Sequence, residues 1–342
     1  MNSELADIAA RMVTPGKGIL AADESSGTIS KRFAQIDVES TEDSRRDYRE
    51  MLFRSETAMR KYISGVILFD ETLRQNAADG TPLARLIEDA GAIPGIKVDA
   101  GAKALAGSNG EKITEGLDGL RERLSEYHQL GARFAKWRAV IEIGGGNPSW
   151  SCIKSNAHAL ARYAALCQEV GIVPIVEPEI VMDGPNASHT IEECRRVSQW
   201  TLNTVFDELF EANVMLEGMI LKPNMIIAGQ RAAKQASPEE VAEQTVACLK
   251  ATVPAAVPGV AFLSGGQGDE QASQHLSLIN QIGGSPWALT FSYGRALQQA
   301  ALKAWIGKAE NVAAAQNAFT HRARMNALAT AAGWRAELEQ IT

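Results

Sequence analysis

Eight short apolar runs recur along the chain at spacings of roughly 30 to 45 residues. They read GILAAD, GVILFD, GIKVD, ARFAKWR, IVPIVE, GMILKP, GVAFLSGG and WALTFSYG, starting at Gly18, Gly65, Gly95, Ala132, Ile172, Gly218, Gly259 and Trp287. Most are too short for stable helices and are rich in Ile, Val and Phe, as strands buried on both faces of a parallel sheet are. The segments between them carry helical signals. Arg45–Tyr62 places Tyr48, Leu52, Met59 and Tyr62 on one stripe, and Leu117–Leu130 places Leu117, Leu120, Leu124, Tyr127 and Leu130 on another, with Gly131 as its stop. Ser237-Pro238-Glu239-Glu240 predicts an N-cap, a first-turn proline and a capping-box glutamate.

Strands alternating with helices of this length imply parallel β-α units, and eight such units close most naturally into an α/β structure of the (β/α)8 TIM-barrel class. An open doubly wound sheet is the alternative, but no G-x-G-x-x-G follows the first run. No linker or composition shift marks a second domain, so residues 1–342 are expected to form a single barrel domain, with an added Ala-rich helix and tail over about 309–342.

A net charge of −7, 45% hydrophobic and 22% charged residues suit a soluble enzyme and argue against bulk nucleic-acid or membrane-surface binding. The first eighteen residues carry acids and lack the apolar core of a signal peptide, and no run approaches the ~18 apolar residues of a membrane span. Cys152, Cys167, Cys194 and Cys248 form no C-x-x-C pair, and His128, His158, His189, His275 and His321 are scattered. A reduced, cytoplasmic setting and no metal site are therefore expected.

In a barrel the chemistry sits at the C-terminal ends of the strands. Here the runs end on Asp23, Asp70, Lys97 with Asp99, Lys136 with Arg138, Glu177, Lys222, Ser264 and Ser292. One polar terminus means little, but eight converging on one rim form a dense polar pocket. Alternation puts Lys136 and Arg138 on one face of their strand, and Glu177 and Glu179 on one face of theirs. A lysine near the top of a packed barrel is desolvated, and a second cation further disfavours its ammonium form, so a pKa normally near ~10.4 can fall towards ~7–8 and free the amine to attack a carbonyl. Lys222, beside Lys136, is the candidate nucleophile. On its own motif, a lysine laying its stem along apolar surface is the better reading.

Anion binding is suggested separately. The loops after the seventh and eighth runs, FLSGGQGD and FSYGRA, offer Ser264, the backbone of Gly265 and Gly266, Gly294 and Arg295 where barrels often hold a phosphate. A plain glycine turn is the alternative. The EIGGGNPSW stretch reads as a loop without that role, because Pro148 removes an N–H. Lys31, Arg32 and Lys97 could hold a second anion, although Lys31 fits a solvated helix face better.

The motifs GKGILAADES, GVILF-ETL, GIKVD, FAKWR, GIVPIVEPEI, LEG-ILKPNM, FLSGGQ and PWALTFSYGRALQ, spread from about Leu5 to about Ala315, resemble the class I (Schiff-base) fructose-1,6-bisphosphate aldolases. The resemblance implies a cofactor-free lyase of glycolysis and gluconeogenesis. It would reversibly cleave fructose 1,6-bisphosphate to dihydroxyacetone phosphate and glyceraldehyde 3-phosphate. Carried over motif by motif, Lys222 forms the imine at the C2 carbonyl, Glu177 moves protons during imine formation and hydrolysis, and Glu179 supports it. Asp23 takes the C4 hydroxyl proton, and Lys136 perturbs the nucleophile and assists at the reacting oxygens. One phosphate falls to Ser264, Gly265, Gly266, Ser292, Gly294 and Arg295, the other to Ser25, Thr28, Arg32 and Lys97 with Arg138 nearby. Small-molecule sugar phosphates are the partners implied, and a homotetramer is implied by family analogy. A Schiff-base barrel acting on another phosphorylated sugar, or a non-catalytic scaffold that kept the barrel, are the competing readings.

Three departures stand out. Thr28 replaces a common serine and keeps its hydroxyl. Asp70 stands where the family often has histidine and receives no role. Animal members end in a tyrosine that moves a proton at the enamine carbon, whereas this chain ends AELEQIT and its last tyrosine is Tyr293. Protonation at carbon is therefore expected to follow a different route.

Overall fold

The computed structural model describes residues 2–340, so Ile341 and Thr342, the end of the expected tail, lie outside the described residues. Eight parallel strands close into a barrel: β1 (Gly18–Ala22), β2 (Ile63–Leu68), β3 (Ile93–Lys97), β4 (Phe134–Ile141), β5 (Val173–Ile180), β6 (Ile220–Leu221), β7 (Gly259–Phe262) and β8 (Ala288–Tyr293). Each strand is hydrogen-bonded to its sequence neighbours, and β8 closes onto β1 with Ile19 opposite Ser292. The helices, in chain order, are α1 (Asn2–Met12), α2 (Ser26–Ala34), α3 (Glu42–Phe53), α4 (Glu56–Tyr62), α5 (Asp70–Arg74), α6 (Leu83–Asp89), α7 (Leu120–Gln129), α8 (Trp150–Glu169), α9 (Ile191–Glu211), α10 (Pro238–Thr252), α11 (Asp269–Ile282), α12 (Arg295–Trp305) and α13 (Val312–Thr330). Among the described residues, no helix is long and apolar enough to cross a membrane.

Period-two alternation sorts each strand into two cores. Leu20, Val66, Ile96, Trp137, Val176 and Leu221 face outward and pack under the helices. Ile19, Ile67, Ile93, Phe134, Val173, Ile175, Ile220 and Ala261 face inward, closed from below by Leu5, Ile8 and Met12 of α1. Gly95 makes room for this interior, because a Cβ there would lie 2.3 Å from the Phe134 ring. The same alternation carries Ile93 to Lys97, Phe134 to Lys136, Ile175 to Glu177 and Ile220 to Lys222. A charged layer therefore sits directly on the apolar one.

The structure departs from the sequence expectations in several places. Arg45–Tyr62 is not one helix but the end of α3 and all of α4. The chain breaks at Arg54 and Ser55, where the Ser55 hydroxyl bonds back to the Met51 carbonyl at 3.1 Å and competes with the helical pattern. Between β3 and the helix α7 lies an antiparallel hairpin, Ala102–Ala104 against Lys112–Thr114, which the sequence reading did not anticipate. Ser237 caps α10 through the Glu240 N–H at 3.2 Å, with Pro238 in the first turn, but the Glu240 carboxylate does not complete the expected capping box. β4 and β5 run on past Arg138 and Glu177 to pair Ile141 with Ile180, so Lys136 and Glu177 stand inside their strands and not at the ends.

Candidate active site

The charged layer at the barrel mouth is one connected chain of ion pairs. Lys222 Nζ lies 3.1 Å from Glu177 Oε1, Lys136 Nζ lies 3.4 Å from Glu177 Oε2, and Lys136 Nζ lies 2.8 Å from Asp23 Oδ2. All four side chains are nearly or fully buried, the most exposed being Asp23 at 12%. The backbone places Lys222 firmly. Its N–H donates to the Val176 carbonyl at 2.8 Å, continuing the short β6 by one residue, and Pro223, which has no N–H, ends the ladder while its carbonyl accepts from Leu263 at 3.1 Å. An apolar run finishes on a cation here because the next inward position is the floor of the mouth.

The two lysines are not left as the bare cation pair expected from sequence, since Glu177 stands between them. Burial disfavours the Lys136 ammonium, but Asp23, Glu177 and Asp99 outweigh it and raise its pKa above that of an ordinary lysine. Burial likewise pushes the Asp23 carboxyl up, but Lys136, Lys222 and Lys97 outweigh it and hold the pKa down at about 2. Asp23 is thus an ionised acceptor and Lys136 a permanent cation at neutral pH.

Two polar groups flank this chain. Glu179 pairs with Arg138, whose backbone N–H also donates to Asp99 at 3.3 Å, and Lys97 pairs with Asp99 at 2.8 Å. Ser25 and Thr28 lie at the start of α2 with their hydroxyls 3.2 Å apart, and Lys31 is exposed beside them. Ser264, just after β7, is buried, and the Ser292 hydroxyl on β8, the strand paired with β1, is buried without a hydrogen-bond partner. Gly266 has φ +78°, and a Cβ there would lie 2.5 Å from Met182 Cβ, so only glycine fits the turn. Arg295, first residue of α12, pairs with Asp183 at 3.1 Å.

Arg32, which the sequence grouped with Lys97, lies beside Glu24 and close to Gly294. Its guanidinium pairs with Glu24 at 2.5 Å, and its Nη2 lies 3.7 Å from where a Cβ of Gly294 would be, on the strand-8 side. Asp70 turns away from the mouth to pair with Arg74 at 3.0 Å. Tyr293 also turns away, its buried hydroxyl donating to the Ala272 carbonyl at 3.1 Å in the helix layer. Sequence reasoning missed Glu24, Arg49, Asp183 and Gln298 as neighbours of the site. The only available signal was the strand-end position of Glu24 next to Asp23.

A family model described as fructose-bisphosphate aldolase class-I matches residues 4–341. A protein of Xanthomonas campestris pv. campestris named "Probable fructose-bisphosphate aldolase class 1" is 58% identical over 97% of this chain and 98% of its own. "Fructose-bisphosphate aldolase 4, cytosolic" of Arabidopsis thaliana is 54% identical over 98% of this chain and 85% of its own. The solved fructose-bisphosphate aldolase of Plasmodium falciparum, in complex with TRAP and a small-molecule inhibitor, superposes with a TM-score of 0.94 at 49% identity, covering 98% and 96% of the two chains. The chain therefore belongs to the class I fructose-bisphosphate aldolase family and is a lyase that reversibly cleaves fructose 1,6-bisphosphate into dihydroxyacetone phosphate and glyceraldehyde 3-phosphate.

Proposed function

We propose that Lys222 is the amine that forms the imine with C2 of fructose 1,6-bisphosphate, and that Glu177, Lys136 and Asp23 carry the proton transfers around it. The carrying observation is the buried sequence Lys222–Glu177–Lys136–Asp23, linked at 3.1, 3.4 and 2.8 Å. Glu177 is within reach of the Lys222 nitrogen, where a carbinolamine must lose water, and serves as the acid and base of that step. Asp23, held ionised, takes the C4 hydroxyl proton as the C3–C4 bond breaks. The protonated imine accepts the electron pair, and Lys136 stabilises charge between the two carboxylates. Glu179 orients Arg138.

Ser264, Gly265, Gly266, Ser292, Gly294 and Arg295 hold one phosphate, and the position of Arg32 near Gly294 favours adding it to this group. Ser25, Thr28, Lys97 and Arg138 hold the other. Tyr293 is engaged in the helix layer, so protonation at the enamine carbon is assigned to a group other than Tyr293. A cytoplasmic setting and a homotetramer are proposed by analogy with the family.

Borohydride reduction in the presence of dihydroxyacetone phosphate tests this reading. Peptide mapping should find the reduced adduct on Lys222, and the variant Lys222→Met should neither label nor turn over. An adduct on another lysine, full activity in the variant, or wild-type turnover silenced by a chelator would overturn it.

A further inference from the structure

We infer that Glu24 is a positioning residue for substrate phosphate: it holds Arg32 in front of the strand-8 loop, while the preceding residue, Asp23, faces the reacting centre. The inference rests on the proposed contact between Arg32 and phosphate. Consecutive residues leaving a strand point to opposite sides. Asp23 points into the mouth at Lys136, and Glu24 points outward between α2, α3 and α12.

Glu24 is buried, and its carboxylate has three neighbours. Arg32 Nη1 lies 2.5 Å from Oε1, Gln298 Nε2 donates to the same oxygen at 2.9 Å, and Arg49 Nη2 lies 3.7 Å from Oε2. Arg49, with a side chain 1% exposed, also donates to the Glu24 carbonyl at 2.8 Å, and Gln298 donates to the Ala21 carbonyl of β1 at 2.7 Å. The end of β1 is thus clamped from α3 and α12 together.

The charge count gives the arrangement its direction. Two guanidinium groups share one carboxylate, so the triad keeps a surplus positive charge. Arg49 is walled in, and the one other carboxylate within salt-bridge distance of it among the described residues, Glu71 at 3.9 Å, is already engaged bidentately by Arg45. Arg32 is the member at the edge, with a side chain 21% exposed and Nη2 3.7 Å from where a Cβ of Gly294 would be. Glu24 therefore aims a cation at the loop that carries Ser292, Gly294 and Arg295 without neutralising it, and a carboxylate in this place pre-sets the arginine fork for an incoming phosphate.

The test is steady-state kinetics with fructose 1,6-bisphosphate, together with competitive inhibition by inorganic phosphate, for Arg32→Ala, Glu24→Gln and the double variant, with thermal melts alongside. A charge-assisted hydrogen bond sets the expected size: KM and the phosphate Ki rise about tenfold in each single variant, with kcat changed less than KM. The double variant should be no worse than Arg32→Ala alone, because both remove one interaction. Should Arg32→Ala raise KM while Glu24→Gln leaves it unchanged, or should the double variant show the product of the single effects, the role of Glu24 is overturned and Arg32 stands alone. Should Arg32→Ala itself leave both constants unchanged, the assignment of Arg32 to phosphate fails, and this inference with it. If Glu24→Gln does not fold, because Arg49 is left without its carboxylate, Glu24→Asp keeps the charge but shortens the reach. It should still raise the phosphate Ki, and an unchanged Ki overturns the proposal.

Discussion

Lys222 and Lys136 straddle Glu177, one ammonium on each carboxylate oxygen, at 3.1 and 3.4 Å. The arrangement solves an electrostatic problem posed by the fold. Inward alternation from β4 and β6 delivers two buried cations to one small space, and β5 delivers the anion that makes their burial tolerable. It also divides the labour: Lys136 has a second carboxylate in Asp23, whereas Glu177 is the only carboxylate within salt-bridge distance of Lys222 among the described residues.

Replacing Glu177 by Gln keeps the side-chain shape and removes both the charge and the proposed proton carrier. The expected loss is on the order of 10²- to 10⁴-fold in kcat, the usual scale for an acid–base group. It should fall on the steps that make and hydrolyse the imine. Rapid-mixing experiments that trap the adduct at early times should show its accumulation slowed at least as much as turnover. A variant that labels at the wild-type rate would move the proton carrier elsewhere.

The Asp23 carboxyl titrates at about 2 in the folded chain, below the ordinary aspartate value of ~3.9. A depressed acid stabilises the fold above its unfolded pKa, and that contribution is lost as the pH falls through the folded pKa. Asp23 should therefore contribute ~2–3 kcal/mol at neutral pH, fading between about pH 4 and pH 2. Urea unfolding of wild type and Asp23→Asn across this range should show the two stability curves converging as acid is added. A constant gap down to pH 2 would show that the pair with Lys136 does not control the titration.

How much of this could be read from the chain depends on the range of the interactions. The strands were legible because each is a local run of apolar residues, and Asp23, Lys97, Lys136, Glu177 and Lys222 could be read as the polar ends of those runs, alternation adding only that Lys136 shares a face with Arg138 and Glu177 with Glu179. The break at Ser55 was not, because one hydroxyl competing for a helical carbonyl leaves the apolar stripe intact. Nor was the surrounding of Glu24: its partners lie 8, 25 and 274 residues away in sequence, and only the closed barrel brings them together. The pairing of Arg295 with Asp183, 112 residues apart, was hidden for the same reason.

That pairing makes a further prediction. Arg295 and Asp183 are about half exposed, so their interaction at 3.1 Å is worth no more than ~1 kcal/mol and is screened by salt. A phosphate bound between Ser264, Ser292 and Arg295 must compete with Asp183 for the guanidinium. Asp183→Asn should tighten inhibition by inorganic phosphate up to about fivefold at low ionic strength and by less at high salt. Weaker phosphate binding in this variant would mean that Asp183 orients Arg295 towards the anion and does not compete with it.

The last prediction concerns the tail. Glu339 is clasped by three donors from its own end of the chain: Arg322, Trp334 Nε1 at 2.7 Å and His321 Nε2 at 3.2 Å. Burial pushes its carboxyl up, but these partners outweigh burial and hold it below the ordinary glutamate range. Arg322 in turn donates to the Asp269 carbonyl at 2.9 Å and the Ser273 hydroxyl at 2.7 Å, tying the tail to the start of α11, the helix that follows the strand-7 loop. Glu339→Gln should cost on the order of 2 kcal/mol at neutral pH. The difference should shrink as the pH falls through the lowered glutamate pKa, because wild type then loses the same charge. The tail should also become cleavable by protease near Gly333. The variant should keep proton exchange at the nucleophilic carbon of dihydroxyacetone phosphate within about twofold of wild type, as expected for a change that touches only stability. If freeing or trimming the tail abolished that exchange while cleavage continued, a group in the last residues would have to be the proton carrier.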